Sequence, residues 1–256
     1  MKRLLVKFLA CLVGLLIIIS MPITSYADDG DLNGKSVNTG ALLSPSKTIE
    51  EQLLDLPESK REEAYLKYYK SEFLDENNDI CYTEQRDTTW SHLFGIMAYK
   101  QETTYYCVPA SCKTCIQYIT GSSASQSTIA SDLGTTVYGT PFGNAITYLN
   151  SHQTATIYVS KPGTTNLATM KNDFYDAVVS YNDPPLVGLA FSTYSGWDYT
   201  TSGHAMCIGS ARNDKEYFKL LDPYIQWVNP NASMYYSKTA SSIHSAMSSF
   251  GYGYDY

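Results

Sequence analysis

Stretches with helical spacing of apolar residues come first in this chain and stretches with strand patterning come last. That order limits its possible folds more than any other feature. Helices are expected at about 108–120, 127–133, 141–151 and 166–181, the third opened by Pro141. Strands are expected at 185–191, 204–211, 216–222 and 226–228, with a last short helix at about 241–250. Helices followed by hairpin-linked strands predict an α+β domain with an antiparallel sheet.

Residues before about 96 have a different character. Met1-Lys2-Arg3 and Lys7 precede an apolar run from Phe8 to Met21, and Ser25-Tyr26-Ala27 supplies a small-x-small end, so 1–27 reads as a secretory signal peptide cut after Ala27. Cleavage would remove three of the 18 basic residues and none of the 25 acidic ones, deepening the formal charge of −7. An acidic mature chain argues against nucleic acid and anionic membranes as partners, because phosphate binding needs a basic face. No later apolar stretch approaches the length of a membrane span, so a protein secreted or lodged in the cell wall is expected.

From 28 to about 46 the composition is that of a flexible leader. Thr48-Ile49-Glu50-Glu51 and Ser59-Lys60-Arg61-Glu62 both have the form of a helix capping box, with Pro57 between them. The second helix, to about Leu74, is amphipathic and needs a surface to lie on. The expected organisation is therefore a signal peptide 1–27, an acidic, partly helical leader 28–95 that packs on the catalytic domain and limits access as a pro-segment would, and a domain 96–256.

Four polar or nucleophilic positions in that domain invite a chemical reading. Cys107-Val108-Pro109-Ala110-Ser111 places a thiol at a helix start, where the macrodipole and free amides favour the thiolate, and a neighbouring amide such as that of Gln101 can complete a site for an oxyanion. A thiol pKa well below the ordinary one is expected there, although a buried thiol or a disulfide half fits the same residue. His204 follows Gly203, whose bare backbone leaves room for another chain to approach. His204 and Asp222 lie nine positions either side of Asn213, so a hairpin centred on Asn213 puts them face to face, whereas a half-residue shift of the centre puts them on opposite faces. Cys112 and Cys115 fall on one helix face with Ile116 and Ile119, a core stripe, and no second Cys/His pair completes a zinc set; no metal and no cofactor are expected. With Cys81 and Cys207 the mature chain has an odd number of cysteines, so at least one thiol lacks an intrachain partner. His92, His152 and His244 are expected at the surface or in packing roles, and Trp197 and Tyr199 either in a substrate groove or in the core.

The order Gln101, Cys107, His204, Asp222, with helices between Cys and His and a hairpin joining His to Asp, resembles the papain-like fold. In particular it resembles the double-glycine (bacteriocin-processing) peptidase family and its stand-alone secreted relatives: a Gln six residues before the Cys, Tyr-Cys-x-Pro-Ala-Ser entering a helix, Gly-His opening a strand, Asp-Pro closing the next. Leu133-Gly134-Thr135 with Gly139-Thr140 adds to the likeness, which covers about 97–250. The resemblance implies Cys107 as nucleophile, His204 as general base then acid, Asp222 as orienter of the imidazole and Gln101 as oxyanion donor. Val108 departs from the glycine usual in closer relatives. No Walker-type motif is present, so ATP is not an expected partner. An exported cysteine peptidase or amide hydrolase acting on peptides or proteins is the leading expectation; a cell-wall amidase and a catalytically silent peptide-binding or adhesion domain are the alternatives.

Overall fold

The computed structural model describes residues 37–44, 47–75, 88–249 and 251–256. The signal peptide expected at 1–27 and Cys81 lie outside the described residues.

Two short strands, β1 (Val37–Asn38) and β2 (Ala41–Leu42), open the described chain. A segment of leader-like composition is thus held in extended form against the domain, which corrects the expectation of a flexible leader there. Helix α1 (Ile49–Asp55) has the expected capping box, Thr48 and Glu51 satisfying each other's backbone amides. Helix α2 (Glu58–Asp75) starts directly after Pro57, two residues too early for Ser59 to cap it.

The domain then runs β3 (Trp90–His92), α3 (Cys107–Thr120), α4 (Gln126–Asp132), β4 (Thr140–Pro141), α5 (Asn144–Ser151), β5 (Ser160–Lys161), α6 (Leu167–Asp176) with a π-turn to Tyr181, β6 (Leu186–Phe191), β7 (Thr201–Arg212), β8 (Tyr217–Leu221), α7 (Ile225–Val228), β9 (Tyr235–Thr239), α8 (Ala240–Ser248) and β10 (Tyr254–Asp255). The mixed α+β architecture is the one expected. Some local expectations fail: Pro141 sits in a strand and α5 begins at Asn144, while 226–228 is helical and the outer strand is β9.

The main sheet has the order β5-β10-β6-β7-β8-β9, antiparallel along that path, with β1 and β3 also pairing with β7. Helix α3 packs on β7, its Ser111 hydroxyl donating to the Ala205 carbonyl at 3.1 Å, and Phe174 of α6 meets Phe218 of β8 edge to face. Cys112, Cys115 and Ile116 lie in this core as the stripe predicts, and the Cys115 and Cys207 sulfurs approach to 3.5 Å as free thiols. His92, His152 and His244 bond Ser210, Tyr148 and Thr165, respectively.

The two leader helices are docked on the domain through named side chains. Gln52 bonds the Ser160 backbone on both sides of its amide, 2.9 Å to the carbonyl and 2.7 Å from the N–H. Lys67 is buried, donates to the Ile157 carbonyl at 2.7 Å, faces Asp183 at 3.5 Å and lies over the Tyr158, Tyr181 and Tyr256 rings. Burial lowers its pKa to about 8, partly offset by Asp183. Breaking such a pair leaves an uncompensated buried charge, so Lys67→Ala should lower the unfolding free energy by about 3–5 kcal/mol, read as a fall in the urea midpoint without a matching change on Lys60→Ala.

Candidate active site

Cys107 is the first residue of α3, entered from Tyr106 with no side-chain cap, so the first amides of the helix remain available to a partner. Gln101 is fixed six residues earlier. Its N–H donates to the Pro223 carbonyl at 3.0 Å, its carbonyl accepts from the Trp227 indole at 3.0 Å, and its Nε2 donates to the Thr103 carbonyl at 2.7 Å.

The hairpin carrying His204 and Asp222 is not centred on Asn213. Ala211 pairs with Phe218 and Ser210 with Lys219, which centres the turn between Asp214 and Lys215, and the left-handed residue is Lys215 at φ 60°. Continued unchanged, that register would set Asp222 opposite Cys207, on the wrong face. A bulge at Gly209 intervenes: beyond it Ile208 pairs with Leu220 and Cys207 with Leu221, so Asp222 falls opposite Met206 and shares the face of His204. A side chain at Gly209 would meet the Leu221 side chain at 2.5 Å. The His204 and Asp222 side chains accordingly meet, Nε2 donating to Oδ1 at 2.9 Å.

Asp222 is wholly buried and saturated with donors. Oδ1 also accepts from the Tyr224 and Ile225 amides at 2.8 and 3.2 Å at the start of α7, and Oδ2 from the Tyr199 and Tyr236 hydroxyls at 3.0 and 2.8 Å. Burial pushes its pKa up, but His204's charge and hydrogen bond, with the Tyr224 amide and Tyr236 hydroxyl, outweigh that and hold the carboxyl below its ordinary range. Tyr199 therefore belongs to the site's support, whereas Trp197 stacks on Phe191 and lines a cleft of about 630 Å³ with Thr200, Thr201 and Ser245. Neither Tyr199's role nor Tyr236 was foreseen, because both arise from the fold alone.

Three of the four, Cys107, Gln101 and His204, meet at a fifth residue, Thr39. The Thr39 carbonyl accepts from the Cys107 N–H and from Gln101 Nε2, both at 3.4 Å. Its hydroxyl lies 2.5 Å from His204 Nδ1, 2.7 Å from the Gly203 carbonyl and in hydrogen-bond contact with the Cys107 thiol. The thiol is thereby sealed from solvent, and burial pushes its pKa up to about 12, against the lowering by the Ala205 amide, Thr39 and the Val108 amide. This overturns the expected depressed pKa for the chain in this arrangement: a helix start lowers a thiol only while solvent or a cation can support the charge.

A helical part with a cysteine at a helix start, set against an antiparallel sheet with a histidine and a carboxylate, is a papain-like fold. Residues 94–249 match the Peptidase_C39 like family, and the chain belongs to it. Membership suggests a cysteine peptidase acting on peptides. No curated protein matches the chain.

Two measurements check the electrostatics. Alkylation of Cys107 by iodoacetamide in the full chain should rise nearly tenfold per pH unit between about 6 and 8, since the thiolate is a minor species throughout; a flat profile would show the thiolate already formed. Asp222's lowered pKa contributes stability fully present above the unfolded value of about 4 and lost as pH falls through the lower folded one. The gap in urea midpoint between the wild type and Asp222→Asn should therefore be wide at pH 6 and close below about pH 4.

Proposed function

We propose that this protein is an exported cysteine peptidase in which Cys107 attacks the substrate carbonyl, His204 takes and returns the proton, Asp222 orients the imidazole and Gln101 helps to hold the oxyanion. The observation that supports it best is a peptide carbonyl, that of Thr39, lying between the Cys107 N–H and Gln101 Nε2 with His204 alongside. A ground-state carbonyl at 3.4 Å from both donors has room to shorten these bonds as negative charge grows on the oxygen.

The tautomer follows from Asp222. With Nε2–H committed to the carboxylate, Nδ1 is left as the basic nitrogen on the thiol side. The carboxylate then stabilises the imidazolium formed when the thiol proton arrives. Gly203 provides the clearance: a side chain there would meet the Ala41 carbonyl at 2.0 Å, so the strand before His204 is open to an extended peptide. Export rests on the basic, apolar and small-x-small pattern of 1–27.

Digestion of a peptide library by the purified protein tests the reading. Cys107→Ala and His204→Ala should abolish turnover. Gln101→Ala should cost roughly 10²–10³-fold in kcat, the effect of losing one oxyanion donor. Asp222→Ala should cost far more than Asp214→Ala, which lies at the hairpin turn. Hydrolysis that survives Cys107→Ala would defeat the assignment.

A further inference from the structure

We propose that the protein cuts its own chain, intramolecularly, at the Thr39–Gly40 bond, leaving Gly40 as a new N-terminus; this rests on the peptidase reading above. The segment 37–44 lies through the cleft as a substrate does, with contacts on both sides of one peptide bond.

On the acyl side, β1 runs parallel to β7, with Val37 N–H donating to the Thr200 carbonyl at 3.0 Å and Thr39 N–H to the Gly203 carbonyl at 3.1 Å. On the leaving side, β2 runs parallel to β4. Thr140 N–H donates to the Gly40 carbonyl at 2.6 Å, Phe142 N–H to the Leu42 carbonyl at 2.9 Å, and Tyr252 to the Ala41 carbonyl at 2.9 Å. Main-chain bonds on either side fix the register, and the carbonyl they deliver to Cys107 N–H and Gln101 Nε2 is that of Thr39. Substrate strands are commonly held in this way, by backbone pairing along an open edge.

The residue after the cut is determined as tightly. Gly40 has φ 111°, a conformation side chains rarely adopt, and a Cβ on it would stand 2.1 Å from the Tyr105 carbonyl oxygen. Gly139, at φ 121°, is bare where a Cβ would reach the Gly40 carbonyl oxygen at 2.2 Å. The slot beside the thiol therefore takes glycine on the leaving side, and this chain supplies one.

The chemistry balances with water as the only co-reactant. Sγ of Cys107 bonds to the Thr39 carbonyl carbon while the thiol proton passes to His204 Nδ1, which the Thr39 hydroxyl now bridges to the thiol. The C–N bond to Gly40 then breaks, Nδ1 returning that proton to the departing Gly40 nitrogen. Water, deprotonated by Nδ1, attacks the thioester; the thiol is regenerated and Thr39 leaves as a carboxylate.

The test is a time course of full-length chain made by cell-free translation, analysed by intact mass and N-terminal peptide. Wild type should accumulate a product beginning at Gly40, with a first-order rate constant unchanged over a 100-fold dilution. Cys107→Ala and Cys107→Ser should give none, and Gly40→Ala should slow the cut by at least 100-fold. Absence of the Gly40 terminus while the same wild-type preparation hydrolyses library peptides in a Cys107-dependent manner overturns self-cleavage and leaves the peptidase reading standing; no hydrolysis of any kind removes both. A rate proportional to protein concentration overturns the intramolecular step.

Discussion

A carboxylate with no water around it has to be charged, bonded and held still all at once, and much of the structure around Asp222 answers to that requirement. Its two oxygens draw on the imidazole of β7, two amides at the start of α7 and hydroxyls from the segment before β7 and from β9. Loss of any one donor leaves part of the desolvation cost uncovered, which for a charged acceptor exceeds that of an ordinary hydrogen bond. The saturated carboxylate fixes the imidazole's rotation through Nε2 and leaves Nδ1 facing the Thr39 hydroxyl. Rigidity at this point is transmitted across the sheet to α3 by the Ser111 to Ala205 bond.

The leader contributes two separable devices. Helices α1 and α2 grip the domain through Gln52 and Lys67, while the preceding strands β1 and β2 carry the Thr39 carbonyl to the Cys107 amide. In this arrangement the residues around Thr39 cover the Cys107 thiol.

Much of the fold was legible because helical periodicity survives in α3 to α6 and strand patterning in β6 to β8. The short stretch at 225–228 carried too few residues for either period to declare itself, and β9, Tyr-Tyr-Ser-Lys-Thr, is too polar to stand out as a strand. Cys107, His204, Asp222 and Gln101 were all named from the sequence, and the structure brings them together. The register joining His204 to Asp222 could not be read, since its parity depends on one bulged glycine, Gly209. Thr39 was invisible for a different reason: a segment rich in Asn, Gly and Ser has the composition of a loop, and its order comes entirely from main-chain bonds to the cleft.

The order of strands in the main sheet bears on when a working cleft first exists. Strand β10, residues 254 and 255, is not at an edge but between β5 and β6, almost a hundred residues from the first of these. Pairings so distant along the chain form slowly, because the loop must be closed before any contact repays its entropy. The strand bearing His204 is therefore flanked on one side by a sheet that stays incomplete until Tyr254 has been synthesised. A nascent chain would carry the Cys107 thiol for most of its length without the sheet that completes its surroundings.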